Sequence, residues 1–339
     1  MTSGWETLQG LRHNKYRAFK LGNNNQKSGA HRFRNTELYY VHHNPKFRVS
    51  KDDRVFTMGS CFAREVESAL SAQSVDVLLM DFVMPMDYVD QSAPRITQQK
   101  KYADAGYNLF SIRSVLNKYS SASMVSEFER LFTEQDIENE GLIEALPGQW
   151  FDPQASQLKM LDFERAMDAR RRISAATAKV GQASLVFLTL GLTETWRDTQ
   201  TGLALNRVPP PFIIKNQPER FEFRNATHEE VVDDIHRVVE LVRSQCNRDM
   251  RFVITVSPVP LGMTFTDKDV VVANAYSKST LLSAAQQVCS EYKRVDYFPS
   301  YEMVINTSRE LAWEPDQVHV LPSLVRQVTN RFLETFMGD

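Results

Sequence analysis

The sequence predicts an α/β domain built on a parallel sheet that is covered on both faces. Strand-like runs such as Ser184-Leu-Val-Phe-Leu-Thr-Leu and Arg251-Phe-Val-Ile-Thr-Val are apolar throughout, without the polar alternate face of a half-exposed strand. Between them lies a helix-patterned stretch, His228 to Ser244, with Val231, Val232, Ile235, Val238, Val239 and Val242 at helical spacing. Each run also ends in polar or turn residues: Gly59-Ser60-Cys61, Gly191 to Glu194, and Ser257-Pro258. Ligands of such sheets gather outside the carboxyl ends of the strands, so these three ends are expected to share one rim.

The elements follow in order. Residues 1–36 are polar and basic, with Arg12, Lys15, Arg17, Lys20, Lys27, Arg32 and Arg34, and read as a solvated arm; the competing reading is a patch for an anionic substrate. A single domain is expected over 37–339. It opens with a strand at 54–58, a turn at Gly59 and a helix carrying Phe62, Val66, Ala69 and Leu70 on one face. Val75 to Met80 is a second strand candidate, and residues 106–118 run from a glycine and an asparagine into a helix. Residues 119–180 read as a mostly helical insertion able to cover a site, punctuated at Leu146-Pro-Gly and Phe151-Asp-Pro. Ala273 to Tyr292 is a helix, Val295 to Phe298 a short strand and Leu321 to Phe336 a closing helix.

Composition removes several classes of function. At 42% hydrophobic and 24% charged residues, the 339-residue chain can bury a full core. Its net charge of -2 argues against a general nucleic-acid binder. The cysteines, Cys61, Cys246 and Cys289, are too far apart for a disulfide framework or a zinc pattern. No stretch is long enough to span a bilayer and no export signal opens the chain, so a cytoplasmic protein is expected, with Cys61 kept as a thiol.

The chemistry concentrates in two places. Ser60 suits a helix N-cap, which puts Cys61 on the first turn, where the helix dipole favours a thiolate and exposed amides suit an oxyanion or phosphate. A nucleophile at the corner of a strand-turn-helix is how α/β hydrolases present a serine. The bland alternative is a buried structural cysteine. Near the carboxyl end, Asp316 and His319 have the spacing of a carboxylate that orients an imidazole base; the alternative is a surface or capping histidine. Trp196 and Trp313, close to the two segments, read as ordinary packing before they read as a substrate groove.

Gly59-Ser60-Cys61-Phe62-Ala63 resembles the pentapeptide of the GSCFA family. Further blocks resemble the same family: Tyr107-Asn108 with Ser111-Ile-Arg, Leu188 to Trp196, Thr255 to Pro260, Asn274 with Ser277-Lys278-Ser279, Tyr297 to Glu302, and Asp316 to His319. The family looks like a branch of the SGNH (GDSL-like) hydrolase and acyltransferase superfamily. The resemblance implies a flavodoxin-like α/β/α sandwich with Cys61 as nucleophile, His319 as base and then acid, and Asp316 orienting the imidazole. Ser60 is the runner-up nucleophile. The superfamily's Gly-x-Asn-Asp block is replaced by Gly191-Leu192-Thr193-Glu194, which lacks the asparagine donor. Thr193, Asn108 and the Cys61 amide are candidate substitutes beside Gly59 and Gly191. Glu194 is either a second acid or base or the ion-pair partner of Arg64 or Arg197. The implied activity is an O-acyltransferase or acylesterase acting on a glycan or glycan precursor, with acyl-CoA as a possible co-substrate and no permanently bound cofactor or metal. The alternative is a non-catalytic binding protein on a degenerate hydrolase fold.

Overall fold

In chain order the strands are β1 (Arg54–Gly59), β2 (Asp76–Val77), β3 (Ile143–Leu146), β4 (Gln149–Phe151), β5 (Leu185–Leu190), β6 (Glu194–Asp198), β7 (Ala204–Leu205), β8 (Phe221–Asn225), β9 (Arg251–Val256) and β10 (Val295–Tyr297). The helices are α1 (Gly4–Leu11), α2 (Gly29–Asn35), α3 (Cys61–Ala72), α4 (Ser121–Phe132), α5 (Phe163–Ala178), α6 (Pro211–Asn216), α7 (His228–Gln245), α8 (Val270–Glu291), α9 (Ser300–Ile305), α10 (Arg309–Ala312) and α11 (Pro322–Phe336). The structure, a computed structural model, describes residues 3–11, 14–20, 26–90, 112–133 and 137–338.

Five strands form the central sheet in the order β10-β9-β5-β1-β2, every pair parallel. This is the flavodoxin-like order, and the direction of winding reverses between β1 and β5. Gly59 faces Thr189, and Thr189 faces Thr255, so the three long strands finish level with one another. The expected common rim is therefore present, at the topological switch point. The second strand is shorter than its apolar run: after Leu78 bonds to Val55, the chain turns at Met80.

Alternating residues send two apolar layers to opposite faces. Phe56, Met58, Val186, Leu188, Phe252 and Ile254 join one cluster with α4, α5, α7 and α8. Val55, Leu185, Phe187 and Val253 join the other, with Phe62, Val66 and Leu70 of α3 and Leu324, Val328 and Phe332 of α11. Helix α3 forms because this apolar face recurs every turn, and it stops where Ser74 enters the left-handed region at φ 61°. At α7, Thr227 and Glu230 form a reciprocal capping box.

The region 119–180 is woven into the domain. Met124 and Phe128 of α4 and Ala166, Ala169 and Ile173 of α5 lie in the main core. Pro147 and Gly148, taken from sequence as loop punctuation, turn the antiparallel β3-β4 hairpin. A second small sheet, β7-β6-β8, packs Leu205 and Phe221 with Ile143 and Phe151 of that hairpin. Part of the basic arm is folded: Ser28 caps α2, and the Phe33 ring stacks on Tyr39 at 4.2 Å.

Gly59 is the tightest point of the rim. Its φ is +146°, and an added Cβ would lie 2.7 Å from Thr189 Cβ and closer still to Thr189 O. Gly59→Ala therefore combines a strained backbone with a clash against a strand that has no room to move. It is expected to destabilise the protein by about 2–5 kcal/mol in urea unfolding; a midpoint equal to wild type would contradict this reading.

Candidate active site

Cys61 is the first residue of α3 and is partly exposed. Ser60 is the N-cap residue with extended backbone, but its hydroxyl makes no capping bond, contrary to the sequence expectation. It is instead buried, and Oγ has no partner among the described residues. The turn is held by backbone: the Ser60 amide donates to Thr189 O at 3.2 Å, and the Ala63 amide to Ser60 O at 2.9 Å.

One turn into the helix lies a buried charge network. Glu67, with no exposed surface, pairs with Arg64 Nη1 at 3.0 Å and Arg113 Nε at 3.1 Å, and accepts from the Thr57 hydroxyl. Burial pushes the Arg64 guanidinium down, while the charges of Glu67 and Cys61 pull it back up. Arg64 is thus a cation within electrostatic reach of Cys61, and Glu67 neutralises much of its charge.

Asp316 and His319 lie in the tight loop ahead of α11. Gln317 takes a left-handed conformation at φ 58°, and the Glu314 amide closes the loop on His319 O at 2.8 Å. The turn brings Asp316 Oδ2 to 2.6 Å from His319 Nδ1, while Oδ1 accepts from the amides of Val318 and His319 at 3.0 Å each. Burial raises the Asp316 acid, but the His319 ring and these amides outweigh it and hold the carboxylate well below its usual range. A carboxylate fixed to Nδ1 leaves Nε2 for proton transfer. Val320, next to His319, shares an apolar cluster with Phe62, next to Cys61, so both segments end in the same layer.

The block after β5 differs from its sequence expectation. The Gly191 and Leu192 amides both donate to Tyr119 O, at 2.9 and 3.0 Å. The Thr193 amide donates to Ser277 Oγ at 3.0 Å, and its hydroxyl to Asn225 Oδ1 at 2.7 Å, so Thr193 is spent inside the fold rather than held as an oxyanion donor. Glu194 does not pair with Arg64 or Arg197; it accepts from the Thr264 hydroxyl at 2.5 Å and the Phe265 amide at 2.8 Å, which secures the β9-α8 loop. Asn108 lies outside the described residues. Trp196 packs against Phe223 and Phe265, and Trp313 joins the α3/α11 core.

Other polar groups at this rim have no role assigned from sequence, although Ser257 stands at an expected strand end and Lys278 in a family-resembling block. Lys278 of α8 is almost fully buried and donates to Gly191 O at 2.6 Å. Desolvation lowers its ammonium to about 7, and the charge of Cys61 acts in the opposite direction. Spacing carries the signal that it faces inward, since Leu281 and Ala285, three and seven residues on, are both in the core. Asn117, Thr189 and Ser257 also hold buried side-chain atoms without partners among the described residues. Asn117 precedes Lys118, whose amide bonds Gly59 O at 2.8 Å, and the Ser257 amide bonds Leu190 O at 2.8 Å, so all three lie at the strand ends.

The GSCFA family model matches residues 54–332. The chain belongs to the GSCFA family. The match takes in both the Cys61 turn and the Asp316-His319 loop of this GSCFA protein. Among solved structures, a family 3 carbohydrate esterase from Clostridium thermocellum is similar at 9% identity, over 84% of this chain and 94% of that one, with a TM-score of 0.28. A score that low carries no argument about activity. No curated protein matches the chain. Among the described residues no helix is long and apolar enough to cross a membrane.

Lys278 makes stability depend on pH in a definite direction. With its folded value near 7 and an unfolded value near 10.4, the lysine binds its proton less tightly in the folded protein. Its destabilising effect is complete below pH 7 and is relieved as pH rises toward 10. Lys278→Met is expected to raise the melting temperature, and by more at pH 6 than at pH 9.5. An equal shift at both pH values would contradict the assignment.

Proposed function

We propose that this GSCFA protein is an acyl-transfer enzyme, an O-acyltransferase or acylesterase, using Cys61 as nucleophile, His319 as general base and then acid, and Asp316 as the residue that orients the imidazole. The observation that carries the reading is the 2.6 Å Asp316-His319 contact in the loop before α11, in the same layer that presents Cys61 on the first turn of α3. A carboxylate bound to Nδ1 fixes the tautomer and supports the imidazolium that forms when Nε2 takes a proton. The thiolate then attacks the carbonyl of an acyl donor, the bond to the donor's leaving group breaks as His319 returns the proton to it, and the acylated sulfur is released again as the acyl group passes to a hydroxyl that His319 deprotonates. Thioesters exchange readily with thiols, which favours acyl-CoA as donor. A glycan or glycan precursor is the acceptor class that the family resemblance implies.

The spent amides of the Gly191 block favour a second reading, a binding protein on a degenerate hydrolase fold. One missing oxyanion donor typically costs about 10²–10³ in rate. Intact-mass spectrometry after incubation with acetyl-CoA separates the two readings. Wild type is expected to carry one acetyl group, Cys61→Ala none, and Ser60→Ala the full amount. His319→Ala is expected to slow adduct formation by about 10²–10⁴. An adduct that survives Cys61→Ala removes the nucleophile assignment, and no adduct on wild type favours the binding protein.

A further inference from the structure

A buried ammonium is costly unless an anion or several acceptors surround it. Lys278 has one acceptor, Gly191 O, and no carboxylate is paired with it among the described residues. It reaches the rim from α8, on one face of the sheet, and Cys61 from α3 on the other; Gly191, whose carbonyl Lys278 holds, follows the β5 residue Thr189 that faces Gly59 of the Cys61 turn. The other cations near the rim have carboxylate partners, although Arg64 and Arg113 share the single acid Glu67, and Lys118 bonds Glu127 at 2.6 Å. Lys278 differs from them in bonding a carbonyl and no carboxylate among the described residues. At the same strand ends are buried polar atoms with no partner among the described residues, on Ser60, Asn117, Thr189 and Ser257. Orphaned polar groups in such number at the end of a parallel sheet point to a polar ligand.

We propose that Lys278 is a catalytic residue: its ammonium receives the negative charge that develops beside Cys61, in place of the amide donors that the Gly191 block has spent within the fold. The assignment deepens the acyl-transfer reading and rests on it for the identity of the anion. When His319 takes the thiol proton and the sulfur-carbon bond forms, the carbonyl electron pair moves onto oxygen. Lys278 holds that oxyanion. As the carbonyl re-forms, the bond to the donor's leaving thiolate breaks, and His319 returns the proton to it. A full charge in a site closed to water can do the work of two neutral amides. Desolvation, which lowers Lys278 towards neutrality in the resting protein, is relieved when the anion arrives.

The test reads charge at Cys61 without requiring turnover. Iodoacetate and iodoacetamide alkylate the same thiolate, so the ratio of their rates at one pH cancels the thiolate fraction and reports the local charge. Peptide mass spectrometry restricts the measurement to Cys61 and excludes Cys246 and Cys289. At pH 6.0, where Lys278 carries its proton, the wild-type ratio is expected to exceed that of free cysteine by about 5- to 10-fold, the effect of nearby positive charge. Lys278→Met should lower it by about 3-fold or more, while Lys268→Met, on the exposed β9-α8 loop, leaves it unchanged. A wild-type ratio equal to that of free cysteine, or one that Lys278→Met does not lower, overturns the proposal, and the first of these needs no variant to fold. The acetyl adduct assay is independent of this ratio. A high ratio without an adduct keeps the anion site and removes acyl transfer; an adduct with a flat ratio does the reverse. Where the adduct forms, Lys278→Met is expected to lower its rate by about 10²-fold.

Discussion

The carboxylate of Glu67 is the fastening on which the rim depends. It is reached from three directions: by Thr57 from β1, by Arg64 from its own helix, and by Arg113 from the segment that leads to Tyr119. Two arginines on one buried acid would be a poor bargain in water, where each is well solvated. In the interior the attraction is strong and the alternative is an unpaired charge, so loss of one partner costs more than the pair contributes. The network therefore fixes where the Cys61 turn lies relative to the sheet, and it does so from beneath, leaving the outer side of the turn to the solvent.

A second buried network serves the same end from the opposite layer. Lys118, Glu127, Arg170 and Asp152 are all buried and lie on the strand-end segment, α4, α5 and the loop after β4. Coulombic attraction to Arg170 and Lys118 outweighs burial and brings the Glu127 acid down to about 2, so it stays ionised throughout the physiological range. The same lysine whose side chain enters this network gives its amide to Gly59 O. Charge pairing in the accessory region and the geometry of the Cys61 turn are thus two ends of one residue.

How much of this was legible beforehand depends on the kind of signal. The long strands and α3, α7, α8 and α11 could be read because burial imposes periods of two or 3.6 on apolar residues, and the strand ends could be aligned because parallel sheets place ligands there. The Asp316-His319 pair was legible as spacing within one turn. The β7-β6-β8 sheet was not, although Phe221-Glu-Phe-Arg-Asn alternates in the way an edge strand does, because its partners are short and separated by loops. Lys278 stands in a family-resembling block, but its residue type carries no sign of burial, because a lysine in a helix is usually solvated; its burial follows from the crossing of α8 over the sheet end, a tertiary fact. Their place in a motif suggests Thr193 as an oxyanion donor and Glu194 as either an acid-base group or an ion-pair partner, whereas their bonding is decided by Ser277, Asn225 and Thr264, which are distant in sequence.

Residues 117–119 cross the gap between two strands whose neighbouring connections leave on opposite faces. Asn117 accepts from Asn206, Lys118 donates to Gly59, and Tyr119 accepts from Gly191 and Leu192. This short stretch is a staple closing the end of the sheet, and it belongs to the accessory region and not to the βα repeat. Pruning the protein to its five strands and their covering helices would release a carbonyl on one strand and two amides on the next. The carboxyl-terminal edge of such a miniature sheet would be unpaired at the place where its two halves join, so the decoration and the scaffold form one inseparable unit.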